Sequence, residues 1–410
     1  MRPRTTARLY NTASRLWLTG AVLALLLPER TRLGIWLPLH MTLAGAVAVA
    51  ISGAMQNFVL ALTAAPAPPE RLVWAQFALV NAGAASIAIG YPSRHGALVA
   101  VGGASFVCGF AVLAWIVYRA RRRALNKRHS LPLSMYGFAL ACVLAGGTLG
   151  AFLGSGVIHD PESWIGLRHA HMTLNVLGFV SLTIAGTLVT LLPTVLRIRM
   201  PNWHGEATGL LLAGGVVAIA AGLGLRSAPV AAAGGLAYAG GSLGLAWMVV
   251  RTARSEKRWP VPVSAKHLVL GIAWFVSGTI ALAVSLLRGV DSFDRFRETY
   301  LAMFVCGFIV QVLLGAWLYL LPMARPAHPD ERRRFLAAIE FGGTLELFAL
   351  NAGVALLVLH AAGWASGALA SVGAGLALGG GGLALFKVWA FAAISRSKVM
   401  SERQLGVWGA

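Results

Sequence analysis

Apolar runs of about 20 residues, separated by short basic or proline-rich breaks, recur along this 410-residue chain. About 20 apolar residues in helical form cross the hydrocarbon core of a bilayer. No water is available there, so each spanning segment must satisfy its own backbone, and runs of this kind can only be helices. Reading between the breaks places spans near 15–28, 36–63, 71–91, 96–118, 131–157, 168–196, 206–225, 228–250, 263–287, 298–323, 335–361 and 364–395. The first is the weakest, because its apolar stretch ends at Pro28 and Arg15 would have to snorkel to the interface. No small-residue cleavage site follows it, so it reads as an anchor helix rather than a signal peptide. Composition agrees: 58% of residues are hydrophobic and 12% are charged, where a soluble domain carries about 25% charged residues. A soluble enzyme, a secreted disulfide scaffold and a disordered chain are excluded together. Cys108, Cys142 and Cys306 lie singly in apolar segments and form no metal or disulfide framework.

The balance of 34 Lys and Arg against 14 Asp and Glu gives a net charge of +20. A nucleic-acid partner would require that charge on one water-exposed face. Here the basic residues punctuate the apolar runs, which is the pattern that sets membrane orientation. With the N-terminus inside, 26 of the 34 fall on the inner side, including Arg119, Arg121 to Arg123, Lys127, Arg128, Lys257, Arg258, Arg325 and Arg332 to Arg334. The expected arrangement is an all-α integral membrane domain over 1–410 with both termini cytoplasmic, in contact with membrane lipid.

The chain also echoes itself. Residues 178–193 read GFVSLTIAGTLVTLLP and 307–322 read GFIVQVLLGAWLYLLP, an offset of 129, while His40-Met41-Thr42-Leu43 matches His171-Met172-Thr173-Leu174 at an offset of 131. Three pseudo-repeats of four spans are expected, over about 1–130, 131–262 and 263–410. This alignment sets His40, His171 and Tyr300 at matching places near the outer ends of the second, sixth and tenth spans. Three equivalent helices would stand around a common centre, where a cofactor can be held between helices.

Imidazole is the commonest metal ligand and suits iron and copper. His40, His169 and His171 are the leading ligand candidates, with His360 behind them; His95 and His159 read as loop residues. His129, His204, His267 and His328 fall beside inner basic residues and read as solvated. His169 and His171 are two apart and so point about 200° apart on a helix, toward different sites. Glu340 and Glu346 are acids within a span, and intramembrane carboxylates mark proton or ion paths. On one continuous helix, six residues separate them by about 9 Å, as successive stations from the inner face. The polar residues Gln56, Asn57, Asn81, Asn175, Gln311 and Asn351 read as helix–helix glue.

The stretches LRHAHMTLNVLGFVSLTIAGTLVTLLPTVLR, LHMTLAGAVAVAISG and GFIVQVLLGAWLYLLP resemble the heme–copper oxidase subunit I superfamily, above all its small actinobacterial-type and NnrS-like members. The twelve-span plan extends the resemblance over nearly the whole chain. It implies a bacterial cytoplasmic-membrane protein holding heme b and, as a further option, copper. It further implies work in electron transfer or in nitric oxide or copper handling, with a periplasmic cupredoxin or cytochrome as electron partner. By position, His40 resembles the second-helix heme ligand, and His169 or His171 the sixth-helix metal ligand. The tenth span departs from the pattern, offering Glu298, Tyr300 and Met303 where histidines are expected, and the seventh has no histidine. A complete binuclear oxygen-reducing centre is therefore not expected, which leaves oxidoreductase activity open. What remains is one heme on His40 and His171, or a single copper site, with Tyr300 and Met303 as weaker axial candidates. Two readings compete with these. One is a proton- or ion-coupled transporter or channel that uses Glu340 and Glu346 without a cofactor; the other is a structural partner of a larger membrane complex.

Overall fold

Each apolar run closes its backbone hydrogen bonds within itself, as a lipid environment demands, and no strand occurs among the described residues. The computed structural model describes residues 3–126, 129–199, 205–254, 261–323 and 329–405, with side chains at 3–5, 329–332 and 391–405 left out of the description. Of the sequence expectations, Lys127, Arg128, Lys257, Arg258, Arg325, His204 and His328 lie outside the described residues.

The chain begins with α1, Pro3–Ala24. Among the described residues, eleven helices long and apolar enough to cross a membrane follow. They are α2 (Trp36–Thr63), α3 (Glu70–Gly90), α4 (Gly96–Arg122), α5 (Ser130–Ser155), α6 (Pro161–Leu196) and α7 (Glu206–Gly224). After them come α8 (Ala228–Arg254), α9 (Val263–Leu287), α10 (Arg297–Met323), α11 (Arg333–Ala361) and α12, which spans over Gly367–Ala390. This is a polytopic all-α integral membrane protein. The expected twelfth span is α1, whose apolar stretch is too short to join the eleven. Arg15 departs from the snorkelling expectation: it is buried, and its guanidinium bonds Asn11 O at 3.1 Å and Thr12 Oγ1 at 3.2 Å on its own helix. A second departure concerns α11, which a turn at Phe341–Gly342 interrupts, with Gly342 at φ +66°. Glu340 and Glu346 therefore do not share one continuous helix, and the 9 Å axial rise expected between them does not apply.

The chain divides into two compact units. Unit 1 comprises Met1–Thr190, Asn202–Leu245 and Thr279–Phe293; unit 2 comprises Leu191–Pro201, Ala246–Gly278 and Asp294–Ala410. Three helices are far more enclosed than the rest: the buried share of the spanning stretch is 67% for α2, 78% for α6 and 67% for α10, and at most 50% elsewhere. Each of the three contains a π-helical stretch, at Met41–Val47, Leu174–Val180 and Ala302–Val310.

Helices in lipid gain little from hydrophobic burial against one another, so small residues that allow close approach decide where they touch. In unit 1, Gly45 lies against Trp17 and Gly53 against Tyr10; likewise Gly178 lies against Cys142 and Gly186 against Met135. In unit 2, Gly307 lies against Trp274 and Gly315 against His267. In all three cases two glycines eight apart receive two residues seven apart on the preceding helix, running in the opposite direction. A Cβ on Gly178 would sit 2.7 Å from Cys142, and one on Gly307 would sit 2.6 Å from the Trp274 ring.

The contacts predict an asymmetric response to one methyl group. Gly307→Ala should overpack the seam and cost about 1–3 kcal/mol. Gly137→Ala on α5, where nothing lies within 4 Å of the added carbon, should be neutral or stabilising. Thermal unfolding of the purified protein in detergent compares the two directly.

Candidate functional site

The histidine site in unit 1 is built at the starts of α2 and α6. The α6 helix opens with a defined cap: Asp160 accepts a hydrogen bond from the Ser163 N–H at 2.7 Å, and Pro161 follows in the first turn, where its missing donor costs nothing. Hydrogen bonding from the Ser163 side chain, and then from this N–H, favours the ionised Asp160 carboxyl and holds it below the usual carboxylate range. The cap sets the start of the helix that carries His169 and His171 nine and eleven residues on.

His171 is half-buried against α5. Its Nδ1 lies 2.7 Å from Gly146 O. A carbonyl only accepts, so Nδ1 carries the proton and the neutral ring keeps its lone pair on Nε2. Asn175 donates its Nδ2 hydrogen to His171 O at 2.8 Å, which fixes the adjoining turn. Gly150 gives the ring its space, since a Cβ there would stand 2.5 Å from His171 Cε1.

His40 repeats this chemistry by different means. Its Nδ1 donates to Trp36 O at 2.8 Å, again leaving the Nε2 lone pair uncommitted. The ring stacks on Trp36 at a centroid distance of 3.9 Å, and Trp36 stacks in turn on Tyr91 at 4.2 Å. The registers of the two histidines differ, however: His40 stands five residues before the first seam glycine of its helix, whereas His171 and Tyr300 stand seven before theirs.

His169 has another setting. It is buried, packs at 4.8 Å on Phe293, and its Nε2 lies 3.3 Å from Arg168 Nη2, an arrangement in which the nitrogen accepts from the guanidinium. His95 precedes α4 and His159 precedes the α6 cap, both exposed.

Unit 2 contains the remaining candidates. Tyr300 is buried just before the π-helical stretch of α10, and Met303 is buried against Gly278 of α9. His360 is exposed and closes the turn after α11 through a 2.9 Å bond to Ala365 O. Glu340 receives the Val263 N–H on both oxygens, at 3.0 and 3.1 Å. Its negative charge thus sits at the N-terminus of α9, where the helix dipole favours it.

Glu346 is wholly buried. Its Oε1 lies 2.8 Å from Nε2 of His267, also wholly buried, and its Oε2 lies 2.5 Å from Lys387 Nζ. Lys387 donates a second bond, to Ile339 O at 2.9 Å. Sequence reasoning set His267 aside as a solvated inner residue and did not single out Lys387. A sequence signal was present. Tyr10 and Trp17, with Gln76 and Asn81 farther on, recur in pattern as His267 and Trp274, with Glu346 and Asn351. In unit 1 Trp17 donates to Asn81 at 2.9 Å and Tyr10 to Gln76; in unit 2 Trp274 donates to Asn351 at 2.8 Å.

A test of the α6 cap follows from its sign. The folded Asp160 carboxyl is held low, so its contribution is present above the ordinary Asp value near about 3.9 and disappears as pH falls through the lowered value. Asp160→Ala should therefore speed hydrogen exchange across the first turn of α6 at neutral pH, Asp160→Ser should largely restore protection, and the difference from Ala should vanish in strong acid. No protein-family model matches this chain, and no curated protein sequence matches it.

Proposed function

We propose that this membrane protein binds heme through His40 and His171 and works as an oxidase-like one-electron carrier, in electron transfer or in nitric oxide or copper handling. One observation carries the reading. Both imidazoles commit Nδ1 to a backbone carbonyl and keep Nε2 uncommitted, the arrangement by which proteins orient metal-ligating histidines and raise their basicity.

The donor set favours heme over copper. Heme iron needs only axial donors from the protein, and two imidazoles are at hand. Among the described residues no group of three or more His, Cys, Asp or Glu is placed to hold a metal ion, so the copper option rests on the same two rings alone. Heme, when bound, supplies the one-electron chemistry. The chain's own residues do the rest: Trp36 and Gly146 carbonyls fix the tautomers, Gly150 makes room for His171, and the Trp36–Tyr91 stack walls the His40 side. His169, turned to Arg168 and Phe293, belongs to the surroundings.

The three enclosed helices, their π-helical stretches and the repeated glycine seams support a plan of three pseudo-repeats like that of the heme–copper oxidase subunit I superfamily. In that plan the 26 inner basic residues mark the cytoplasmic side of a bacterial inner membrane. The histidine site then faces the periplasm, within reach of a cupredoxin or cytochrome.

Absorption spectroscopy with metal analysis tests the reading on protein purified from heme-replete cells. The wild type should show a Soret band and bound iron. His40→Ala or His171→Ala should remove the band, and His169→Ala should keep it. Colourless protein with no iron overturns the proposal.

A further inference from the structure

The junction at Gly315 in unit 2 buries an ion pair where the matching junction at Gly53 in unit 1 is neutral. On the first seam, Tyr10 faces Gly53 and belongs to a neutral network: its hydroxyl donates to Gln76, Gln56 donates to that hydroxyl at 3.1 Å, and Gln76 donates to Ser52 at 3.0 Å. On the last seam, His267 faces Gly315 and bonds Glu346, which bonds Lys387. Neutral side chains thus suffice to hold such a junction together. A second departure lies alongside. Four residues after the first seam glycine, α2 has Val49 and α6 has Leu182, both fully buried and apolar, whereas α10 has Gln311, fully buried, with neither end of its amide bonded.

The imidazole is also half-used. His267 is wholly buried and its Nε2 bonds Glu346, but its Nδ1 has no partner among the described residues. With Glu346 ionised, Lys387 charged and His267 neutral, the three groups sum to zero, the state that an apolar interior tolerates. His267 then donates Nε2–H to Glu346 and presents a bare lone pair at Nδ1. Gln311 lies one helical turn from Gly315, the residue under His267. Nδ1 of His267 and both amide atoms of Gln311 are buried without partners among the described residues, and unbonded polar atoms of this kind are what an internal water binds.

We propose that His267, Glu346 and Lys387 form a proton-accepting site inside unit 2, reached through a water-filled polar chamber at His267 Nδ1 and Gln311. A proton arriving on Nδ1 allows the Nε2 proton to pass to Glu346 Oε1. The imidazole ends neutral in its other tautomer, Glu346 ends as a carboxylic acid, and the group moves from net zero to +1. The ion pair with Lys387 is lost in that step, and Lys387 keeps its bond to Ile339 O. Protonation would thereby loosen the tie between α11 and α12. Other ionisable residues on these helices include Lys266 beside His267, Glu340 on the Val263 N–H, Arg333, Arg334 and His360 on α11, and Arg297, Glu298, Tyr300, Cys306 and Tyr319 on α10; among the described residues only the His267 and Lys387 side chains bond the Glu346 carboxylate. The proposal is independent of heme.

Infrared difference spectroscopy tests it on the full-length protein in lipid nanodiscs, titrated from alkaline to mildly acidic pH. A protonated-carboxyl band should grow as pH falls, vanish in Glu346→Gln and persist in Glu340→Gln. Lys387→Met removes the charge that favours the carboxylate and should raise the midpoint by about one pH unit or more, a tenfold gain in proton affinity. Gln311→Leu alters no charge and should slow the response to a pH jump. Should Glu346→Gln fail to accumulate, Glu346→Asp assigns the band by shifting its frequency. No band in the wild type, a band that survives Glu346→Gln, a midpoint unmoved by Lys387→Met, or an unslowed Gln311→Leu each overturns the proposal.

Discussion

Close approach between helices is the constraint on which the rest of this protein depends. Inside a bilayer the lipid is as apolar as leucine, so shape and polar contacts decide where helices meet. Here shape is supplied by glycine pairs on α2, α6 and α10, which admit a Trp, Tyr, Cys, Met or His from the preceding helix. The spacing has a physical cause. Two turns of α-helix take 7.2 residues, matching the seven-residue step on α1, α5 and α9. A π-helical stretch widens the turn by about one residue, and each of the three receiving helices carries its first seam glycine within one. Eight residues on one side therefore keep step with seven on the other.

That insertion also explains where sequence reasoning succeeded and where it slipped. Span limits were legible because hydropathy and basic breaks report them directly: 36–63 and 263–287 appear in the structure as read. His40 and His171 were legible as candidates because an imidazole in an apolar run is conspicuous. Their equivalence was not, since the glycine pairs repeat at 133 residues between α2 and α6, not the 131 that joins the histidines. A match of four letters follows residue identity, whereas the seam follows geometry. Glu346 was visible as a buried acid, but its partners come from α9 and α12, and no local pattern ties positions 79 and 41 residues away to it.

The two polar junctions bear on what buried charge is for. Replacing a buried ion pair by well-packed neutral groups is often neutral or even stabilising, because desolvation offsets the Coulombic gain. The Tyr10–Gln76–Gln56–Ser52 network shows such a neutral solution within the same chain. Stability alone thus gives little reason for Glu346, His267 and Lys387 at the matching junction of unit 2. Their distinguishing property is that they can exchange a proton, and His267 is placed to do so with one nitrogen on the acid and the other unbonded among the described residues. The histidines of unit 1 are arranged in the opposite sense. His40 and His171 each give Nδ1 to a backbone carbonyl, which cannot pass a proton onward, and keep Nε2 as a fixed lone pair. On the two proposals imidazole serves as a ligand in one setting and as a relay in the other, and the partner of the second nitrogen decides which.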